Sequence, residues 1–187
     1  MDNYEVLKDK QEIPEIINKV ATKISSYIQP NNIEEIVLIP ILNGALFYTV
    51  DLVRNLKELF VINKINCKIQ IESVRISSYV NNSNEGTELI CKDLELINVE
   101  NKTVLIIDDV YDSGNTFYWL ITQLSKLKAK TILSTVFVNK LCNHSNVYQP
   151  NFVGIELNEN KYLVGYGMDN NGYDRELDTL SYISNNN

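Results

Sequence analysis

The chain is poor in the residues that several common chemistries need. It holds three cysteines, Cys67, Cys91 and Cys142, in 187 residues. Their number is odd and no CxxC occurs, which argues against a disulfide framework and against a zinc site. The single histidine, His144, lies in a polar stretch, and no Ser-His or Cys-His nucleophilic system is easily built around it. Basic residues are outnumbered: 17 Lys and Arg against 24 Asp and Glu give a net charge of -7. That balance argues against nonspecific binding to nucleic acid or to an anionic membrane. It leaves room for a small anionic ligand, because backbone donors and one or two cations can outweigh the global charge. No stretch approaches the roughly 18 consecutive apolar residues of a membrane span. The first dozen residues, "MDNYEVLKDKQE", contain no apolar core of a secretory signal. The three Asn-x-Ser/Thr sequons, at Asn81, Asn101 and Asn143, then read as chance in an Asn-rich chain, and a reducing cytoplasm is the expected compartment.

What is present is a soluble-protein composition, 44% hydrophobic and 22% charged, in a length that favours one domain. No repeat or interdomain linker interrupts it. Residues 11–29 place Ile13, Ile16, Ile17, Val20, Ile24 and Tyr27 at helical spacing, with Pro14 in the first turn and Pro30 as a stop. The continuous apolar run "EIVLIPIL" (35–42) predicts a buried strand, and Asn43-Gly44 a turn into a helix over 45–59. Strands are expected over 67–76, 102–108, 131–139, 150–157 and 161–168. A helix is expected over 116–130, with Lys126, Lys128 and Lys130 near its C-terminus. The polar stretch 77–88 reads as a loop. Alternating strands and helices predict an α/β fold, a parallel sheet covered on both faces. Ligands of such sheets bind beyond the carboxyl ends of the strands.

One such end stands out. "VLIIDDVYDSGNT" (104–116) is an apolar strand that stops at Asp108 and Asp109, followed by Asp112, Ser113, Gly114, Asn115 and Thr116. Small residues before a helix leave convergent N–H groups, and the helix N-terminus adds partial positive charge, together a nest for phosphate. Adjacent carboxylates can accept from a vicinal diol or lie near Mg²⁺ through water. A capped helix start with solvated acids accounts for the same residues. Neither GxxxxGK[ST] nor GxGxxG occurs, nor does DxDx[TV].

The stretch resembles the phosphoribosyl-pyrophosphate (PRPP) motif of type I phosphoribosyltransferases. "FVGIELNENKYLVGYGMDNNGYDREL" (152–177) is similar to the purine-site segment of the hypoxanthine-guanine phosphoribosyltransferases, and the similarity runs over roughly residues 33–180. The resemblance implies a central parallel sheet flanked by helices (about 33–140) with a small hood from the N-terminal segment and about 141–187. It implies transfer of the phosphoribosyl group from PRPP to hypoxanthine or guanine, with Mg²⁺ as cofactor and a homodimer or homotetramer as assembly. By matching position, Asp108 and Asp109 would bind the ribose hydroxyls, with Mg²⁺ nearby, and Asp112 would face purine N7 as general base or acid. Ser113, Gly114, Asn115 and Thr116 would cradle the 5-phosphate. Lys140 would bond purine O6, Tyr162 would stack on the base, and the Leu163 backbone would meet the base edge. Asp169 would help hold Mg²⁺, Arg175 would contact pyrophosphate, and Asn43-Gly44 matches the pyrophosphate loop. Ser78 and Tyr79 match a Ser-Tyr pair of the flexible catalytic loop.

Read singly, these residues have plainer accounts. Lys140 fits a solvated lysine at a strand end, Tyr162 a core aromatic, Asp169 a turn and Arg175 a surface ion pair. The Asp169 turn is not an EF-hand, since its glycine stands fourth. Two departures from the family pattern are visible. Asn43 stands where Lys or Arg is common, in a loop type that can hold a non-proline cis peptide, and the acidic pair is Asp-Asp rather than Glu-Asp. A nonenzymatic nucleotide-sensing regulator of the same fold is the rival, and the preference among hypoxanthine, guanine and xanthine stays open.

Overall fold

The computed structural model describes residues 3–80, 87–142 and 148–184. Asn81, Asn143, His144 and residues 81–86 of the expected loop lie outside the described residues. In chain order the elements are β1 (Tyr4–Lys8), α1 (Glu12–Ile28), β2 (Glu35–Pro40), α2 (Leu46–Ile62), β3 (Lys68–Ile71), β4 (Ser77–Val80) and β5 (Thr87–Ile90). A 3₁₀ turn (Leu94–Leu96) precedes β6 (Thr103–Tyr111), α3 (Asn115–Lys126), β7 (Thr131–Lys140), β8 (Phe152–Leu157), β9 (Leu163–Val164) and β10 (Leu180–Ile183).

Five strands form one parallel sheet in the order β3-β2-β6-β7-β8. The continuous apolar runs of β2 and β6 follow from burial on both faces. Ile36, Leu38, Leu105 and Ile107 face a core shared with α1 and α2. Val37, Ile39, Val104 and Ile106 alternate to the other face, against Phe117, Leu120 and Leu124 of α3. Each such side chain removed from water contributes roughly 1.5–3 kcal/mol. α1 starts where a reciprocal cap forms. Asp9 Oδ1 accepts the N–H groups of Gln11 (2.7 Å) and Glu12 (2.9 Å), and Glu12 Oε2 accepts that of Asp9 (3.1 Å).

A smaller antiparallel sheet, β1-β10-β9, joins residues near both ends of the chain, with Tyr4 opposite Ile183 and Leu163 opposite Tyr182. Leu163, Tyr166, Met168 and Leu180 enter the same core as α1 and α2. β8 pairs with β7, so residues 152–157 extend the main sheet rather than the small one.

Several expected boundaries move. The strand expected over 67–76 is only Lys68–Ile71, and Val74 then bridges to Ile41. Ser77–Val80 and Thr87–Ile90 are paired strands, where a loop over 77–88 was expected. The strand expected over 161–168 ends at Val164, because Gly165, Tyr166 and Gly167 all take positive φ, which no strand tolerates. α3 ends at Lys126 and Lys128 has φ 60°, so of the three lysines only Lys126 lies in the last turn. β6 does not stop at its acids. It continues through them to Tyr111, because β7 runs alongside to Lys140 and pairs Tyr111 with Asn139.

Candidate active site

The parallel sheet brings the C-terminal ends of β2, β6 and β7 to one edge, and the predicted residues gather there. Asp108 is 8% exposed, and its Oδ1 accepts the backbone N–H of Asp109 at 3.0 Å. Burial, reinforced by the neighbouring Asp109 charge, pushes the Asp108 carboxyl well above the usual carboxylate range. Asp109 lies against the turn after β2. A Cβ at Gly44 would fall 2.1 Å from Asp109 Oδ2, so a side chain at position 44 would push the Asp109 carboxylate off the turn. That turn contains a cis peptide at Leu42-Asn43, one bond earlier than Asn43-Gly44.

The Asp108 environment predicts a pH dependence of stability. An unfolded Asp titrates near pH 4. Between there and the raised folded value the native state binds more protons, so stability falls as pH rises through that window. Asp108→Asn keeps the acceptor for the Asp109 N–H and removes the buried charge. It raises Tm at pH 7.5. The gap closes by about pH 4, below which the wild-type carboxyl is protonated in both states. Calorimetric scans across this range test it, and a variant less stable than wild type at pH 7.5 overturns it.

After Tyr111 the chain turns into α3. Gly114 has φ +80° and stands where a Cβ would come 2.3 Å from Tyr111 Oη. Tyr111 Oη donates to the Tyr148 carbonyl at 2.5 Å, fixing the turn from below. Ser113 Oγ accepts the Asn115 N–H at 3.3 Å. Asn115 and Thr116 open α3, so the expected anion nest stands at a helix start of twelve residues.

β7 supplies Lys140, which is 8% exposed and not a solvated lysine. Its Nζ lies 3.4 Å from Asp112 Oδ2, as the β6–β7 register dictates. The small sheet supplies the rest. Tyr162 is 56% exposed, not core, and its hydroxyl donates to the Asp169 carbonyl at 3.2 Å. Leu163 is buried in β9. Arg175 Nη2 pairs with Asp169 Oδ1 at 2.5 Å, and its Nη1 donates to the Gly167 carbonyl at 2.6 Å. Gly167, at φ +103°, stands where a Cβ would come 2.0 Å from the Gly44 carbonyl oxygen. The Arg175 segment and the turn after β2 are thereby in backbone contact. Ser78 and Tyr79 stand on the backbone of β4, opposite Leu89 and Glu88.

Two participants are absent from the sequence expectation. Gly167 had a signal in the Gly-x-Gly of "VGYGM". Arg75, whose Nη2 donates to Asn43 Oδ1 at 3.2 Å, had none. Among the described residues no three His, Cys, Asp or Glu side chains cluster to hold a metal by themselves. The acids present are hard oxygen donors, the type Mg²⁺ takes one or two of while substrate phosphates and water complete its shell. The donor set fits a shared ion, not a protein cage.

Fold and site together define a class: a parallel α/β protein with an acidic pair near the C-terminal end of a central strand and a glycine-containing turn leading from it into a helix. The chain belongs to the phosphoribosyl transferase domain family, whose profile matches residues 3–171. It is 32% identical over 173 residues to a hypoxanthine-guanine phosphoribosyltransferase of Aquifex aeolicus, covering 92% of this chain and 90% of that one. A phosphoribosyltransferase domain-containing protein 1 of Xenopus tropicalis is 29% identical, over 89% of this chain and 72% of the relative. The fold is that of a Trypanosoma cruzi hypoxanthine phosphoribosyl transferase, with TM-score 0.83 at 22% identity over 96% and 91% of the two chains.

Proposed function

We propose that the protein is a purine-salvage enzyme. It transfers the 5-phosphoribosyl group from PRPP to N9 of hypoxanthine or guanine, forming the nucleoside 5′-monophosphate and pyrophosphate. The observation that carries this reading is the Lys140–Asp112 pair, 3.4 Å apart beside the phosphate turn. N7 and O6 lie on one edge of a 6-oxopurine: O6 accepts, and N7 accepts once N9 is substituted but carries the proton in the tautomer that reacts at N9. An ammonium that only donates suits O6, and a carboxylate suits the proton on N7 of the tautomer that reacts.

In this reading the turn Ser113–Thr116 binds the 5-phosphate, and Asp108 and Asp109 bind the ribose hydroxyls. Tyr162 covers one face of the base and the Leu163 backbone meets its edge. Asn43, Gly44 and Arg175 face pyrophosphate, whose departure leaves oxocarbenium character at C1. Donors already aimed at the leaving oxygens lower that barrier. The β4–β5 hairpin, with Ser78 and Tyr79, helps keep water from the reacting centre. Asp108, Asp109 and Asp169 are the groups that would hold Mg²⁺, which when bound offsets charge on the leaving diphosphate. We take residues 1–187 as one domain, since residues of β9 and β10 share a core with α1 and α2. A homodimer or homotetramer is supported by an apolar cleft of about 370 Å³ along α2 and β3, bordered by exposed Leu46, Val50 and Ile71. Three free thiols support a reducing cytoplasm.

The test is a spectrophotometric assay with PRPP, Mg²⁺ and hypoxanthine, guanine, xanthine or adenine in turn. Nucleotide forms with hypoxanthine or guanine and adenine is the poorest substrate. No product from any base overturns the enzymatic reading in favour of a nucleotide-sensing regulator.

A further inference from the structure

In the turn after β2, Asn43 stands where the family pattern commonly has a cation. The structure carries a cation at the same place from another element. Arg75, four residues beyond the end of β3, donates Nη2 to Asn43 Oδ1 at 3.2 Å. The guanidinium has no carboxylate partner among the described residues, and the residue is exposed. Its remaining N–H donors are therefore not committed to a carboxylate among the described residues.

The other flank of the turn is occupied by the second guanidinium. Arg175 Nη1 holds the Gly167 carbonyl at 2.6 Å, and Gly167 packs on the Gly44 carbonyl. Two arginines thus bracket Asn43-Gly44, one through the Asn43 side chain and one through Gly167. They are not equivalent. Arg175 is already tied to Asp169 at 2.5 Å, so its charge is partly offset. Arg75 is the cation of the bracket whose charge no ion pair offsets among the described residues. The backbone anchors the segment that carries it: the Leu42 N–H donates to the Val74 carbonyl at 2.8 Å, next to Arg75, and the Val74 N–H donates to the Pro40 carbonyl at 3.0 Å.

We propose that Arg75 is a diphosphate-binding residue of this protein, positioned by Asn43 and supplying the cation that the turn itself lacks. The inference rests on the PRPP-dependent reading above. The planar guanidinium can keep one N–H on Asn43 and present others to a phosphate oxygen, which a lysine at position 43 would do as a point charge. Specialisation of this kind predicts that the two residues act as one unit. Removing Arg75 loses the cation, and placing a lysine at 43 restores it from the turn.

The test is calorimetric titration with inorganic pyrophosphate plus Mg²⁺, and separately with inosine 5′-monophosphate, which carries no diphosphate. Arg75→Gln weakens pyrophosphate by about 10-fold or more, the scale of one charge-assisted hydrogen bond. It leaves the monophosphate within about 2-fold. Arg75→Lys recovers part of the loss, and Asn43→Lys in the Arg75→Gln background recovers most of it. Unchanged pyrophosphate affinity in Arg75→Gln overturns this inference alone. So does an equal loss for both ligands, which marks a structural role. A wild-type protein that binds neither ligand overturns the PRPP-dependent reading and this inference with it.

Discussion

Asp112→Asn lowers turnover with hypoxanthine or guanine by about 10²–10⁴-fold, the range a positioned general base contributes. It leaves PRPP affinity near the wild-type value. The geometry separates the two effects. Asp112 sits beyond the end of β6, past buried Asp108 and half-buried Asp109, and its carboxylate points at Lys140 rather than at the Asp109–Gly44 contact. The turn that follows, to which the proposal gives the 5-phosphate, is fixed by Gly114 on Tyr111 and by the Ser113 acceptor. Asparagine keeps the size and the Oδ1 acceptor but takes no proton. The ribose and phosphate contacts therefore persist while proton transfer at N7 fails. Steady-state kinetics with equilibrium PRPP binding provides the check. Near-normal turnover removes Asp112 from the proton step, and a parallel loss of PRPP affinity moves it into the ribose site.

The main sheet was legible because its signal is local. Residues 36–42 and 104–107 are apolar without interruption, and each face of the sheet takes alternate residues. The strand end of β6 was misplaced for a related reason. Charge at Asp108 and Asp109 ends the apolar run, but the ladder is held by β7 alongside, and backbone pairing does not require apolar side chains. Of the small sheet only β9 was legible; β1 and β10 were not, because they pair across nearly the whole chain, with Val6 59% exposed and no clean alternation. Site residues on local motifs, from Asp108 to Thr116, came with their neighbours. Arg75 did not, since its partner stands 32 positions away and a lone arginine in "SVRISS" carries no pattern. Gly167 was visible only as a glycine. The reason for it is the Gly44 carbonyl, which the fold brings from another element.

Lys140→Met cuts kcat/KM for hypoxanthine and guanine by about 10²-fold or more and narrows their advantage over adenine. A site built to donate to O6 rejects the 6-amino base because two donors then face each other, a mismatch that polar sites exploit by several orders of magnitude. Methionine preserves most of the aliphatic stem, so the buried packing at the end of β7 is largely kept. Its cost to the fold is small for a second reason. The partner left behind, Asp112, has a side chain 49% exposed and is hydrated once the ammonium is gone. Activity and stability therefore separate: Tm moves by a few degrees while discrimination collapses. Competition between hypoxanthine and adenine measures the ratio directly, without dependence on active-site concentration. An unchanged ratio with lowered rate means that Lys140 acts through Asp112 and does not read O6. Combining Lys140→Met with Asp112→Asn distinguishes the cases further. Residues that handle one purine edge as a unit lose less together than the sum of their separate losses, whereas additive losses place them in independent steps.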